Sequence, residues 1–250
     1  MKQYLEAFLN LIFPPPQECP LCGGFSPGEK VCPACEAWLA LQQKGKYCCR
    51  CGRPVAGEAL CGDCMERDWP FELARSVGPY SGPLREGVHR FKYGGRRRLA
   101  LPLGALMARR VMKHPTYRQA GLVVPVPMTP ARLRRRGYNQ ALLLARSVSA
   151  ELGIGVEEVL KKTADTVPQT VLRRSEREQN LRGAFVLQNN PSLWGKTVLL
   201  IDDIITTGST ASAAAAVLRQ GGAKKVLVLT LAATPKSSKK LRISDKNHAN

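Results

Sequence analysis

Apolar and polar positions along this chain fall into blocks whose period switches between helical and extended. Residues Met1 to Phe13 carry Tyr4, Leu5, Phe8, Leu9 and Ile12 at helical spacing and meet Pro14-Pro15-Pro16. That pattern predicts a short amphipathic helix, which either caps its own domain or lies on a membrane surface. Asp68-Trp69-Pro70-Phe71 marks a boundary, after which globular alternation begins. Arg85–Tyr93 and Leu99–Lys113 read as helices, and residues 121–127 as a short apolar strand breaking into a proline turn. Asn139–Leu152 reads as an Ala- and Leu-rich helix closed by Gly153, whereas residues 161–183 are polar and read as a long loop with at most a short helix. Thr197–Ile201 is an apolar strand, Ser209–Gln220 a helix ending at Gly221-Gly222, and Lys225–Ala232 another buried strand. From Lys236 onward the residues are polar and basic, the composition of a disordered tail.

Apolar strands separated by helices predict an α/β fold, a parallel sheet covered by helices on both faces. The division expected is residues 1–70, 71–235 and 236–250: an N-terminal module, the α/β domain and the tail. No apolar run approaches the 18 or so residues of a membrane-spanning helix.

The N-terminal module has its own signature. Cys19, Cys22, Cys32 and Cys35 recur 29 positions later as Cys48, Cys51, Cys61 and Cys64, each set reading C-x2-C-x9-C-x2-C. Two residues between cysteines form a knuckle that aims two sulfurs at one point, and two knuckles supply a tetrahedral Zn2+. The expectation is a tandem zinc ribbon with two structural Zn2+ per chain. Ligation within each repeat is simplest, but a cross-braced arrangement would use the same eight residues. Cys49 sits inside a knuckle as a bystander. With no signal peptide ahead of the cysteines, disulfides are disfavoured.

Charge adds a partner. The chain carries a formal +19, which two tetrathiolate zinc sites of −2 each reduce to about +15. Residues 85–136 hold fourteen Lys and Arg against one acid, Glu86. Such a block concentrates polyanions around it. Within it, Arg96, Arg97 and Arg98 with Phe91, Lys92 and Tyr93 combine charge with aromatic faces, the pairing that serves single-stranded DNA. Three scattered histidines, His89, His114 and His248, offer no metal or triad spacing.

The chemistry concentrates at Val198-Leu199-Leu200-Ile201-Asp202-Asp203-Ile204-Ile205-Thr206-Thr207-Gly208-Ser209-Thr210. An apolar strand ends in adjacent carboxylates, and a hydroxyl-rich loop then opens a helix. Backbone N–H groups and hydroxyls at such a corner cradle a phosphate, while two carboxylates would repel it and suit neutral sugar hydroxyls instead. A phosphorylated ribose meets both demands.

This stretch resembles the fingerprint by which type I phosphoribosyltransferases hold phosphoribosyl pyrophosphate (PRPP). The resemblance implies that Asp202 and Asp203 hold the 2′- and 3′-hydroxyls and that Thr206, Thr207, Gly208, Ser209 and Thr210 bind the 5′-phosphate, with Mg2+ accompanying PRPP. The cysteine pairs look like the ComF/GntX family when taken with Phe91-Lys92-Tyr93, Val124-Pro125-Val126-Pro127, and Arg132 to Arg136 followed by Gly137-Tyr138-Asn139-Gln140. Gln169, Leu172, Arg177, Asn180 and Phe185 complete the match, which spans roughly residues 5–235. That family joins a zinc ribbon to a phosphoribosyltransferase-like domain and is associated with competence and the uptake and use of DNA. The resemblance implies PRPP, single-stranded DNA and proteins of the uptake machinery as partners. It also implies a cytoplasmic location, free or peripheral at the inner face of the membrane.

If phosphoribose is transferred, the protein supplies positioning and charge stabilisation; the candidates for holding the leaving pyrophosphate are the loop after Pro127, which looks like the family's pyrophosphate loop, and Arg173, Arg174 and Arg177 in the long polar loop, which could close over the site. In purine-salvage members an acid lies four residues after the first paired carboxylate; here Thr206 stands there, which argues against purine transfer of that kind. No segment reads as a base pocket, so the acceptor is not legible. Three functions remain open: an enzyme, a DNA-binding protein regulated by PRPP, and an adaptor that docks a protein through its ribbons.

Overall fold

The computed structural model describes residues 17–57, 59–112, 114–163, 183–189 and 192–235. The expected N-terminal helix, the tail, and Arg173, Arg174 and Arg177 lie outside the described residues. At the centre is a parallel sheet of β1 (Leu73–Pro79), β2 (Leu122–Pro125), β5 (Thr197–Ile205) and β6 (Lys225–Ala233), in the order β1-β6-β5-β2. Val156 adds a parallel bridge to Val123 on the outer side of β2. β3 (Leu160–Lys162) and β4 (Phe185–Leu187) form a separate antiparallel pair.

Alternation along the strands divides the core. Leu199, Ile201, Leu227 and Leu229 face one side with helices α3 (Gly82–Tyr93), α4 (Ala100–Met112) and α6 (Gln140–Leu152). Val198, Leu200, Val226 and Val228 face the other, with α7 (Ser209–Gln220) and the β3–β4 pair. Both faces are apolar, as a sheet covered on two sides requires, and each such side chain stabilises by about 1.5–3 kcal/mol.

The two cysteine repeats are shared between these faces. The first knuckle of the first repeat, with Cys19 and Leu21, and helix α1 (Pro33–Gln43), with Cys35 and Leu39, belong to the α3–α4 cluster. The second repeat, with α2 (Gly62–Glu66), belongs to the α7 cluster along with Trp69 and Phe71. Contact is close in both. A Cβ on Gly87 of α3 would lie 2.7 Å from the Pro20 carbonyl oxygen, and one on Gly52 2.5 Å from that of Ala74. Ala74 N–H donates to Arg50 O (2.7 Å), so the second knuckle continues the hydrogen bonding beside β1. The ribbons are therefore built into both walls of the α/β core.

Several elements differ from the sequence expectation. β5 runs to Ile205, because Asp202 stays on the ladder opposite Thr230 and Ile204 opposite Ala232. A short helix α5 (Pro130–Arg136), capped by the Thr129 side chain, occupies the arginine run after the proline turn.

Candidate functional site

A cleft of about 300 Å3 opens at the carboxyl ends of β2 and β5. From β5 the chain passes through α7 to β6 on one side, and from β2 through α6 to Val156 on the other. The crevice between two strands whose connections diverge is where open α/β sheets bind ligands. Register places the acids there: Pro125 pairs with Ile201, so Asp202 and Asp203 extend just past the end of β2. Val126 N–H donates to Ile201 O (2.9 Å), and Asn139 Nδ2 donates to Val126 O (3.2 Å), which ties the start of α6 to the cleft wall.

The cleft carries both signs of charge. Lys92, Arg132, Arg136 and Lys162 line it opposite Asp202 and Asp203. Lys92 Nζ is 2.9 Å from Asp203 Oδ2. Burial, followed by the charge of Asp203, pushes Asp202 up to about 7, although the Asp203 N–H, Lys92 and Lys162 all favour its ionised form. Asp203 N–H donates to Asp202 Oδ1 (2.8 Å). A carboxyl in this state accepts hydrogen bonds from hydroxyls when ionised and donates one when protonated, so it can pair with neutral sugar hydroxyls in either form.

The loop beyond β5 turns through Gly208 at φ +82°, a left-handed conformation that glycine adopts without strain, and α7 begins at Ser209. Thr207 Oγ1 and Ser209 Oγ lie 2.8 Å apart, and Thr206 and Thr210 line the cleft. The N–H groups of the first turn of α7, of which Ser209 N–H donates to Thr207 Oγ1 (3.4 Å), and these hydroxyls form one donor-rich corner. Among the described residues lining the cleft there is no aromatic ring.

The cysteines resolve the ligation pattern. Cys19, Cys22, Cys32 and Cys35 gather into one tetrad and Cys48, Cys51, Cys61 and Cys64 into another, all sulfurs of a tetrad within 4.8 Å. Cys22 and Cys32 sulfurs are 3.8 Å apart, and Cys51 and Cys61 sulfurs 3.6 Å. A zinc–sulfur bond of about 2.3 Å puts tetrahedral sulfurs about 3.8 Å apart, so both tetrads fit structural zinc. The sulfurs gather within each repeat and not in the cross-braced arrangement. Burial opposes charge on Cys19 and Cys48, but N–H donors led by Cys32 and Cys51 respectively outweigh it and lower the thiols to about 7 and about 6. Cys49 is exposed and outside the tetrads.

Comparison with known proteins follows the same division. The Double zinc ribbon domain family matches residues 8–65 and the Phosphoribosyl transferase domain family residues 138–249. DNA utilization protein YhgH of Salmonella typhimurium is 32% identical over 165 residues, covering 63% of this chain and 71% of that protein. The chain belongs to the ComF/GntX family. Competence protein F of Haemophilus influenzae is 31% identical over 162 residues, covering 63% of this chain and 69% of its own. Among solved structures, the B. subtilis glutamine PRPP amidotransferase complexed with ADP and GMP is 24% identical, with a TM-score of 0.36 over 60% of this chain and 28% of its own.

The ComF/GntX segments fall into distinct structural roles. Arg97 Nη2 donates to Gly137 O (2.7 Å) and its guanidinium lies over the Tyr138 ring, while the Tyr138 hydroxyl donates to Phe91 O. Arg136 bridges Gln140 and Tyr93 beside the cleft. Two expectations about DNA contacts need correction. Phe91 is fully buried, packed against Tyr138, and has no face to offer a base. Lys92 points into the cleft and pairs with Asp203, so its charge is neutralised there. Tyr93 is 62% exposed, and Arg96, Arg97 and Arg98 are exposed, with Arg96 paired to Glu18.

Sequence reasoning had no signal for Lys162 or Arg53, and it gave Gln140 only as part of the ComF/GntX resemblance, with no role in the site. Lys162 reaches the cleft from the short strand β3, inside the segment read as loop, and Gln140 opens α6. Arg53 is 4% exposed beside the second tetrad.

Proposed function

We propose that this chain binds PRPP in the β2–β5 cleft and acts in DNA uptake or utilisation, as the names of its relatives suggest. The observation that carries the reading is the pairing of Asp202 and Asp203 with the Thr206–Thr210 corner in one cleft at the switch point of the sheet. The acids suit the ribose 2′- and 3′-hydroxyls, and the corner suits the 5′-phosphate. Arg132, Arg136 and Lys162 supply the positive charge that a pyrophosphate demands. Mg2+ bound with PRPP would neutralise further charge on that group. The residues present then orient the sugar and hold the leaving group, so that charge developing at the anomeric carbon meets fixed carboxylates.

Phosphoribosyl transfer to an acceptor is the enzymatic form of this reading. Calorimetry with PRPP and Mg2+, followed by a pyrophosphate-release assay with nucleobases and single-stranded DNA as acceptors, tests both levels. Wild-type protein that binds no PRPP ends the reading. Binding without pyrophosphate release leaves PRPP as a regulatory ligand.

A further inference from the structure

The side chain of Arg53, in the second cysteine repeat, reaches three different structures at once. Its Nε lies 3.3 Å from Cys51 Sγ, and its Nη2 lies 3.4 Å from Cys61 Sγ and 2.7 Å from Asp63 Oδ2. Its Nη1 donates to the backbone carbonyl of Thr206 at 3.4 Å, across 153 positions of sequence.

We propose that Arg53 is a positioning residue that couples the second cysteine tetrad to the phosphate corner, so that an intact tetrad holds the Thr206–Thr210 loop in its ligand-binding shape. The proposal rests on the PRPP reading for what the loop binds, but the coupling itself stands on geometry.

The physical case has three parts. A planar peptide directs its C=O and the following N–H in opposite directions, so holding the Thr206 carbonyl toward the ribbon aims the Thr207 N–H away from it. Only a guanidinium has enough donors in a fixed fork to serve two sulfurs, a carboxylate and a carbonyl together; a lysine ammonium cannot span them. The tetrad also supplies two of the four acceptors that hold Arg53. Cys51 Sγ and Cys61 Sγ fix the direction of the guanidinium fork, so displacing them would turn Nη1 away from Thr206 O.

A second contact braces the same loop from the same side. Trp69, just after the second repeat, packs so closely on Gly208 that a Cβ there would lie 3.2 Å from the indole ring. Among the described residues the first tetrad makes no comparable contact with the cleft. Arg90 Nη1 donates to Cys19 O on the other face of the sheet.

The test uses the full chain with both tetrads zinc-loaded, comparing wild type with Arg53→Met and Arg53→Lys. Amide hydrogen exchange is followed across residues 205–210 without ligand. Release of zinc to a chromophoric chelator is timed with and without PRPP and Mg2+. Loss of one partly buried charged hydrogen bond predicts about five- to tenfold faster exchange in the loop and a similar loss of PRPP affinity in Arg53→Met, with Arg53→Lys between. By linkage, PRPP should slow zinc release from one of the two sites in wild type and lose that effect in Arg53→Met. An Arg53 serving the ribbon alone would not produce such ligand-dependent protection. Loop exchange unchanged in Arg53→Met at full zinc content overturns the proposal. If Arg53→Met fails to fold or to hold zinc, Asp63→Asn frees one arm of Arg53 without touching a sulfur, and unchanged loop exchange in that variant overturns it equally. Wild type that ignores PRPP would sink the functional reading, while the exchange measurement still decides the coupling.

Discussion

Lys92 on α3 and Asp203 on β5 form an ion pair, Nζ to Oδ2 2.9 Å, with both side chains largely buried in the cleft. The lysine comes from the basic segment that the sequence assigns to a DNA surface, yet its charge offsets one of two adjacent carboxylates. Breaking a buried pair from one side leaves the other charge uncompensated. Lys92→Met should therefore cost on the order of 1–3 kcal/mol, and adding Asp203→Asn should recover part of it. A double-mutant cycle by chemical denaturation measures the coupling, and strict additivity would show that the pair contributes nothing.

Replacing Asp202 and Asp203 together by Asn keeps their shape and removes two like charges, so the fold should persist. PRPP affinity should fall about tenfold to a hundredfold, the scale of losing charge-assisted hydrogen bonds to two hydroxyls. Circular dichroism checks the fold and calorimetry the affinity.

Asp202 also predicts a pH dependence. Its pKa is raised from 3.8 to about 7, so between those values the folded protein binds more protons at this site than the unfolded chain does. Stability must then fall as pH rises through that window. Asp202→Asn should gain on wild type by about 1–2 kcal/mol between pH 5 and pH 8 in ligand-free protein. Thiols titrate alike in both proteins and cancel in the difference. A gap between the two melting curves that stays constant with pH would contradict this.

Metal analysis should return two zinc per chain, with Cys49→Ser unchanged and Cys61→Ser losing one. Structural zinc contributes about 10–16 kcal/mol of apparent binding energy, so a chelator should unfold the ribbons. Sequence alone suggests that the α/β domain would survive. The ribbons, however, form part of both core clusters, so chelation should lower the melting temperature of the whole molecule.

For nucleic acid, the exposed candidates are Tyr93, Arg96, Arg97 and Arg98. Arg98→Glu and Tyr93→Ala should weaken single-stranded DNA binding. The charge reversal should also flatten the salt dependence by about 0.7 for each phosphate that is no longer neutralised. Phe91→Ala should instead cost about 3–5 kcal/mol of stability, because it empties a fully buried site. Fluorescence anisotropy across a salt series separates these effects, and unchanged affinity in Arg98→Glu would remove that arginine from any DNA site.

Much of this architecture is written locally. The period of apolar residues locates α4, α6, α7, β2, β5 and β6 to within a few residues, because each buries a face or lies wholly in the core. The cysteine spacing names eight ligands, and Asp202-Asp203 with its hydroxyl loop names half of the cleft. β1 has no such signal, since Leu73-Ala-Arg-Ser-Val-Gly-Pro79 interrupts its apolar pattern with a half-buried Arg75 and a buried Ser76. Tertiary structure alone decided which four sulfurs meet, which face of the sheet each ribbon covers, and that Lys92, Lys162 and Arg53 converge on or beside the cleft. A sequence records the period of its own segment, but proximity between segments arises only when the sheet register brings distant strand ends together. Arg53 and Thr206 are neighbours because the second ribbon packs on the same face as α7, a fact with no local trace.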